Sequence, residues 1–235
     1  MKARSLTAYD VAVHYDDAYF ADLSARYQER NRFARQRIRN VFSLLPDVRN
    51  RTVLDLGCGM GTFTLEAARR GAHAVGFDLM PAALVAARRV AGAEQVGAAR
   101  FALADVAHLP VADQSADVIL AADLTEHLDN ATLGRMLGET IRALRPAGTL
   151  VLYTPEASHV FERLRAAGVM KQDPSHIGVR TSAELAAAVR AAGYRIERLS
   201  YLPSHLPVWN LLERALARWV PLLRRRLGIV ARRES

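Results

Sequence analysis

The chain has 235 residues, 51% of them hydrophobic, with one cysteine and a formal net charge of +8. That length suits one α/β domain with a sizeable core, and no apolar run approaches the ~20 residues of a spanning helix. A lone cysteine excludes an internal disulfide and suits a reducing cytoplasm, and Met1–Thr7 lacks the apolar stretch of a secretory signal. Seven arginines against two glutamates place +5 of the charge in the last 27 residues, which points to one cationic patch and not to a surface coated for nucleic acid.

In chain order, residues 1–50 read as a helical unit ahead of a main domain over 51–235. His14–Phe20 is aromatic and acidic, and from Phe20 to Leu45 apolar residues (Leu23, Tyr27, Phe33, Ile38, Phe42) recur at helical spacing until Pro46. The segment is expected to pack on the sheet edge or to act as a lid. Strands and helices then alternate, as a doubly wound parallel sheet requires. Strands are expected at Thr52–Leu56, His73–Asp78, Ala99–Ala104, Ala116–Ala122, Thr149–Tyr153, Tyr194–Tyr201 and Leu227–Arg232. Helices are expected at Thr62–Arg70, from Pro81 to Ala91, at Asn130–Leu144 and at Ala183–Ala192. Thr181 or Ser182 is the cap of the last of these, with Glu184 near its third position. Residues 155–181 form an insertion on the substrate side.

The most informative stretch is Asp55-Leu56-Gly57-Cys58-Gly59-Met60-Gly61, a strand end, a glycine turn and a helix start. Glycines let a ligand approach the backbone, and the free amides at the helix start favour polar or anionic groups. Asp78 ends the second strand, where a carboxylate can accept both hydroxyls of a ribose, and Asp105 ends the third. Cys58 reads as a small residue tolerated in the turn, since it lacks the base that a covalent nucleophile requires.

These segments, together with Ala104-Asp105-Val106-x-x-Leu109-Pro110, resemble the class I S-adenosylmethionine-dependent methyltransferases over about residues 51–156 and more weakly beyond. The resemblance implies a Rossmann-like α/β sheet of seven strands, mostly parallel with one antiparallel C-terminal strand, and helices on both faces. It implies that Asp55, Gly57, Cys58, Gly59 and Gly61 shape the cofactor loop. Asp78 with Leu79 would hold the ribose, Asp105 with Val106 the adenine, and Ala122 the neighbouring strand end. Arg32 or Arg35 would meet the cofactor carboxylate.

Strand four ends in Asp123-Leu124-Thr125-Glu126-His127, and ligands of such sheets bind outside the C-terminal strand ends. Asp123, Glu126 and His127, joined by His176 from the insertion, carry oxygen and imidazole donors suited to Mg²⁺, Mn²⁺ or Zn²⁺. The carboxylate-x-x-Glu-His pattern with a distant histidine resembles the ubiquinone-pathway and small-RNA 2′-O-methyltransferases, which implies a divalent metal chelating two acceptor hydroxyls. Asp123 stands where those families carry Glu. Without metal, His127 or His176 is the expected general base, with Glu126 beside them.

The expected activity is methylation of a hydroxyl oxygen on a small-molecule or lipid-like acceptor. Metal-free C- or N-methylation and 2′-O-methylation of an RNA terminus are the alternatives. RNA is disfavoured, because the arginines lie far along the chain from Asp123–His127 and no stacking platform is visible. Residues 206–226 read as an amphipathic helical cap, with Val208, Leu212, Ala215, Leu216 and Trp219 on the apolar face. Asn210, Glu213, Arg214 and Arg218 lie opposite. The cap is expected either to roof the substrate pocket or to touch anionic lipid, which would make a cytoplasmic protein peripheral to the inner membrane face. Oligomeric state is not legible.

Overall fold

The computed structural model describes residues 22, 24–25 and 27–233; the stretch His14–Phe20 lies outside them. The N-terminal periodic stretch does not run unbroken. Arg30 adopts a positive φ of 50°, and Asn31 starts a new helix, α1 (Arg32–Phe42), by accepting from the Ala34 amide at 2.9 Å. Helix α1 buries Ala34, Ile38, Asn40 and Val41. The buried Asn40 amide is satisfied by donating to the Tyr153 hydroxyl at 3.2 Å and the Pro203 carbonyl at 2.8 Å.

The main domain alternates β1 (Thr52–Leu56), α2 (Thr62–Arg69), β2 (His73–Asp78), α3 (Pro81–Ala93), β3 (Arg100–Leu103) and β4 (Ala116–Ala122). It continues through α4 (Asn130–Ala143), β5 (Leu144–Pro155), α5 (Val160–Ala166), α6 (Ser182–Ala191), β6 (Tyr194–Leu202), α7 (Pro207–Leu216) and β7 (Arg226–Arg233). The seven strands lie in the order β3-β2-β1-β4-β5-β7-β6. The pairs from β3 to β5 are parallel, and β7 runs antiparallel to both β5 and β6, so one antiparallel strand closes the sheet as expected.

Alternation along the central strands feeds two cores. Val53, Val118 and Val151 pack with Ile38, Leu65 and Val90 from α1, α2 and α3. Leu54, Ile119 and Leu150 pack on the other face with Leu137 of α4 and Leu185 of α6. Burial on both faces is what makes these strands read as continuous apolar runs. The capping box of α6 forms with Thr181 as cap and Glu184 as its partner. Strand β5 starts earlier than expected, because Leu144 already pairs with Ala116 before a register shift leads to Thr149 opposite Val118.

Helix α7 is turned the other way from the pocket-roofing expectation. Its buried residue is Glu213, while Val208, Leu211, Leu212 and Leu216 are exposed. Polar bonding fixes this orientation: Glu213 accepts from the Ser204 amide at 2.5 Å, and Asn210 donates to the Ser204 carbonyl at 2.5 Å.

The N-terminal segment is fastened to α2 through Glu66. This buried carboxylate accepts from Tyr27 Oη (3.0 Å), Arg30 (2.5 Å), Arg69 (3.0 Å) and Arg70 (2.8 Å). Burial alone would raise its pKa, but the hydrogen bonds from Arg70 and Arg30 hold it below its ordinary 4.5. A depressed folded-state pKa gives stability that is present above pH 4.5 and lost as pH falls through the folded value. Glu66→Gln is therefore expected to cost roughly 1–3 kcal/mol at pH 7, as for hydrogen bonds to a charged group. Denaturant unfolding should show that gap narrowing below the unfolded pKa; equal midpoints at neutral pH would remove Glu66 from this role.

Candidate active site

The turn after β1 is built by positive-φ glycines at positions 57, 59 and 61. At Gly61 (φ 84°) an added Cβ would lie 2.7 Å from the Phe101 ring, and at Gly57 (φ 65°) one would lie 2.8 Å from Leu124. Neither position accepts a side chain. Gly61 is also the cap of α2 and supplies no side-chain acceptor, so the first amides of that helix face the turn. Asp55 sits beneath, accepting from Thr64 Oγ1 at 2.7 Å, and burial pushes its pKa up to about 7. Burial likewise pushes the Cys58 thiol well above its ordinary value, which leaves it without nucleophilic character.

Asp78 stands at the tip of β2 with both oxygens aimed by backbone: the Gly59 amide donates to Oδ2 at 2.8 Å and the Met80 amide to Oδ1 at 2.9 Å. Leu79 beside it is 56% exposed, a large apolar side chain open over the strand tips. Past β3, Asp105 accepts from the Ala107 amide at 2.8 Å and is half-exposed, while Val106 is buried. Ala122, at the end of β4, is buried. The cofactor residues expected from the sequence thus line neighbouring tips of β1, β2, β3 and β4.

Asp123 has a different setting from the expected one. It takes a positive φ of 55°; one oxygen pairs with Arg37 of α1 and the other accepts from Arg226 Nη1 at 2.7 Å. Burial would raise its pKa, but Arg226 and Arg37 hold the carboxyl below its ordinary range. Its two oxygens are turned to the arginines, and Asp123 is not among the side chains whose ligand atoms converge. The N-terminal arginines differ in where they lie. Arg32 and Arg35 are exposed and line a groove toward α7, whereas Arg37 lies over the Phe63 ring at 5.1 Å, against the glycine turn. Its Nε is buried without a hydrogen-bond partner among the described residues. Neither Arg37 nor Arg226 was singled out by sequence, because nothing in an arginine-rich helix or before an apolar strand marks the residue that turns inward.

Glu126, His127 and His176 do converge: one ligand atom from each lies within 4.8 Å of the others. The two rings meet edge to face at 4.9 Å, and His127 Nδ1 is 3.2 Å from the Ser175 carbonyl. Burial holds both imidazoles below their ordinary pKa, so they are neutral at pH 7. Burial, then the charge on Asp123, pushes Glu126 up to about 8; its carboxyl accepts from Thr154 Oγ1 at 3.0 Å. The insertion is latched to the tip of β4 by residues that the sequence reading passed over. Gly178 N donates to the Glu126 carbonyl at 2.8 Å, and Arg180 donates to the carbonyls of Thr125 and Leu128, each at 2.8 Å.

Comparison with known proteins agrees with this layout. A family model described as a methyltransferase domain matches residues 53–148. A malonyl-[acyl-carrier protein] O-methyltransferase of Pectobacterium atrosepticum is 31% identical over 145 residues, covering 59% of this chain and 53% of that protein. A phosphoethanolamine N-methyltransferase of Triticum aestivum is 27% identical over 114 residues, covering 48% of this chain and 23% of that protein. The chain therefore spans about half, or less, of the length of these relatives. Among solved structures, an S-adenosylmethionine-dependent methyltransferase of Mesorhizobium loti superposes with a TM-score of 0.64 at 20% identity, covering 82% of this chain and 95% of that one, which shows the shared fold. The methyltransferase-domain match over residues 53–148, with the glycine turn, the acidic strand tips and the single antiparallel strand in place, supports the resemblance to the class I S-adenosylmethionine-dependent methyltransferases.

Proposed function

We propose that the protein transfers the methyl group of S-adenosylmethionine to a hydroxyl oxygen of a small or lipid-like acceptor held over the tip of β4. The observation that carries this reading is the convergence of Glu126, His127 and His176 within 4.8 Å, beside the strand ends where ligands of doubly wound sheets bind. When bound, S-adenosylmethionine supplies a methyl on a sulfonium that departs as a neutral thioether. Asp78 accepts the ribose hydroxyls, Asp105 and Val106 frame the adenine with Leu79 and Ala122 beside it, and Arg37 offers its unpartnered Nε to the cofactor carboxylate.

His127 takes the hydroxyl proton. With Nδ1–H assigned as donor to the Ser175 carbonyl, Nε2 is its basic nitrogen. His176 packs against that ring and borders the acceptor. The remaining work is alignment in a water-poor pocket. Glu126, His127 and His176 are also a donor set that a divalent cation accepts, and two neutral imidazoles favour Zn²⁺ or Mn²⁺ over Mg²⁺. Such a cation would lower the hydroxyl pKa and fix two neighbouring oxygens.

Asp78→Asn is expected to weaken binding of the cofactor about 10–100-fold, in line with ~1.5–3 kcal/mol for a hydrogen bond to a charged group. Calorimetry showing unchanged affinity would remove Asp78 from the site. His127→Ala is expected to keep cofactor affinity and lower kcat by ~10²–10⁴, the range of general acid–base groups, and His176→Ala, which removes the ring packed against it, to lower kcat by less. Measured against a panel of catechols, quinol precursors, glycans and short RNAs, wild-type activity lost in EDTA and restored by Zn²⁺ or Mn²⁺ would establish the metal. Activity indifferent to EDTA but lost in His127→Ala would leave the imidazole as base, and unchanged turnover in both histidine variants would end the proposal. At Gly178 an added Cβ would lie 2.1 Å from the Leu128 carbonyl oxygen, so Gly178→Ala must shift the latch and draw His176 away from His127. The expected result is retained cofactor affinity with a fall in kcat of ~100-fold, the scale of a 1 Å misplacement.

A further inference from the structure

Helix α7 shows solvent the face that helices normally bury. Val208 and Leu211 are 73% and 70% exposed, Leu212 and Leu216 about 40%, and Trp219, just past the helix, 71%. At 3.6 residues per turn, Leu211, Ala215, Val208, Leu212 and Leu216 fill one continuous arc, and Glu213 holds the other side inward. The arc borders a groove between α7 and α1 that is lined by Arg32, Arg35, Arg39 and Arg214 with Gln36 and Asn210. No carboxylate lines it, and among the described residues none forms an ion pair with any of the four arginines. Like charges gathered without a counter-charge repel unless an anion enters.

An apolar arc edged by unpaired guanidinium groups has one complementary partner in the chemistry on display, an apolar layer bordered by phosphates. We propose that this face docks on an anionic phospholipid surface, with the α7 arc entering the headgroup boundary and Arg32, Arg35, Arg39 and Arg214 receiving lipid phosphates. A two-fold contact between copies of the chain brings the same patch of each together, and here that would oppose arginine groove to arginine groove. The docking face differs from the sequence expectation, because its charge comes mainly from α1 and not from the arginine run 224–226. It goes beyond methyl transfer and holds whatever acceptor the strand-tip site takes.

The test is co-sedimentation of the full chain with phosphatidylcholine vesicles, with and without phosphatidylglycerol. Binding is expected only with phosphatidylglycerol, and weaker as salt rises. Arg32→Gln/Arg35→Gln/Arg39→Gln should lower partition about 100-fold, at about five-fold per arginine near a charged surface. Val208→Ser/Leu211→Ser, at strongly exposed positions, should lower it at least ten-fold. Unchanged thermal midpoints show that both variants are folded. Equal binding to phosphatidylcholine, no binding to either vesicle, or variants that bind like wild type would overturn the proposal. So would a lipid-free dimer that Val208→Ser/Leu211→Ser dissociates, which would assign the arc to a second copy.

Discussion

The half-buried carboxylate of Asp123 sets the terms for everything around it. A charge taken out of water is costly unless paired, and this one is paired twice, by Arg37 from the N-terminal helix and Arg226 from the start of β7. Three parts of the chain that are remote in sequence are thereby drawn to one point above the sheet. Removing either arginine would leave an ion short of compensation in a site with little solvent. The pairing also acts on its neighbour. Burial and the charge on Asp123 together keep Glu126 protonated at neutral pH, so of two carboxyl groups three residues apart one is ionised and the other neutral. Separated pKa values of this kind let one site combine a fixed charge with a mobile proton.

The two halves of the site are held by different means. The cofactor side is backbone: positive-φ glycines, a helix start without a side-chain cap, and an Asp78 carboxylate aimed by two amides. It is built from neighbouring strand ends of a sheet buried on both faces. The side proposed for the acceptor includes residues 155–181, which contact the tip of β4 through Gly178 and Arg180. On the proposed reading, variation in that insertion would change the acceptor without disturbing the glycine turn, as expected where function is grafted on a common fold.

Much of the scaffold was legible because burial writes itself into the chain. Strands β1, β2 and β4 begin and end where their apolar runs do, the Thr181–Glu184 box caps its helix, and the closing strand is antiparallel. The convergence of His176 with Glu126 and His127 was legible from position alone, since both segments emerge at the same end of the sheet. What escaped was direction. Periodicity shows that α7 has an apolar face, but not that Glu213 and Asn210 bond inward and leave that face outside. Helix α1 carries four arginines between positions 32 and 39, and no pattern among them marks Arg37 as the inward one; its partner Asp123 is 86 residues away. Likewise, the positive φ of Asp123 that sends its side chain to the arginines has no marker at a non-glycine residue.

Strand β7 lies between β5 and β6 but follows β6 in sequence. Strands β1 to β5 pair with one another in the sheet, whereas β6 is joined to it only through β7. The sheet is completed by β7, and Arg226 comes with it to neutralise Asp123. The strand that joins β6 to the sheet is therefore also the one that carries a counter-ion of Asp123, and loosening its pairing would disturb the sheet edge and the reactive corner together.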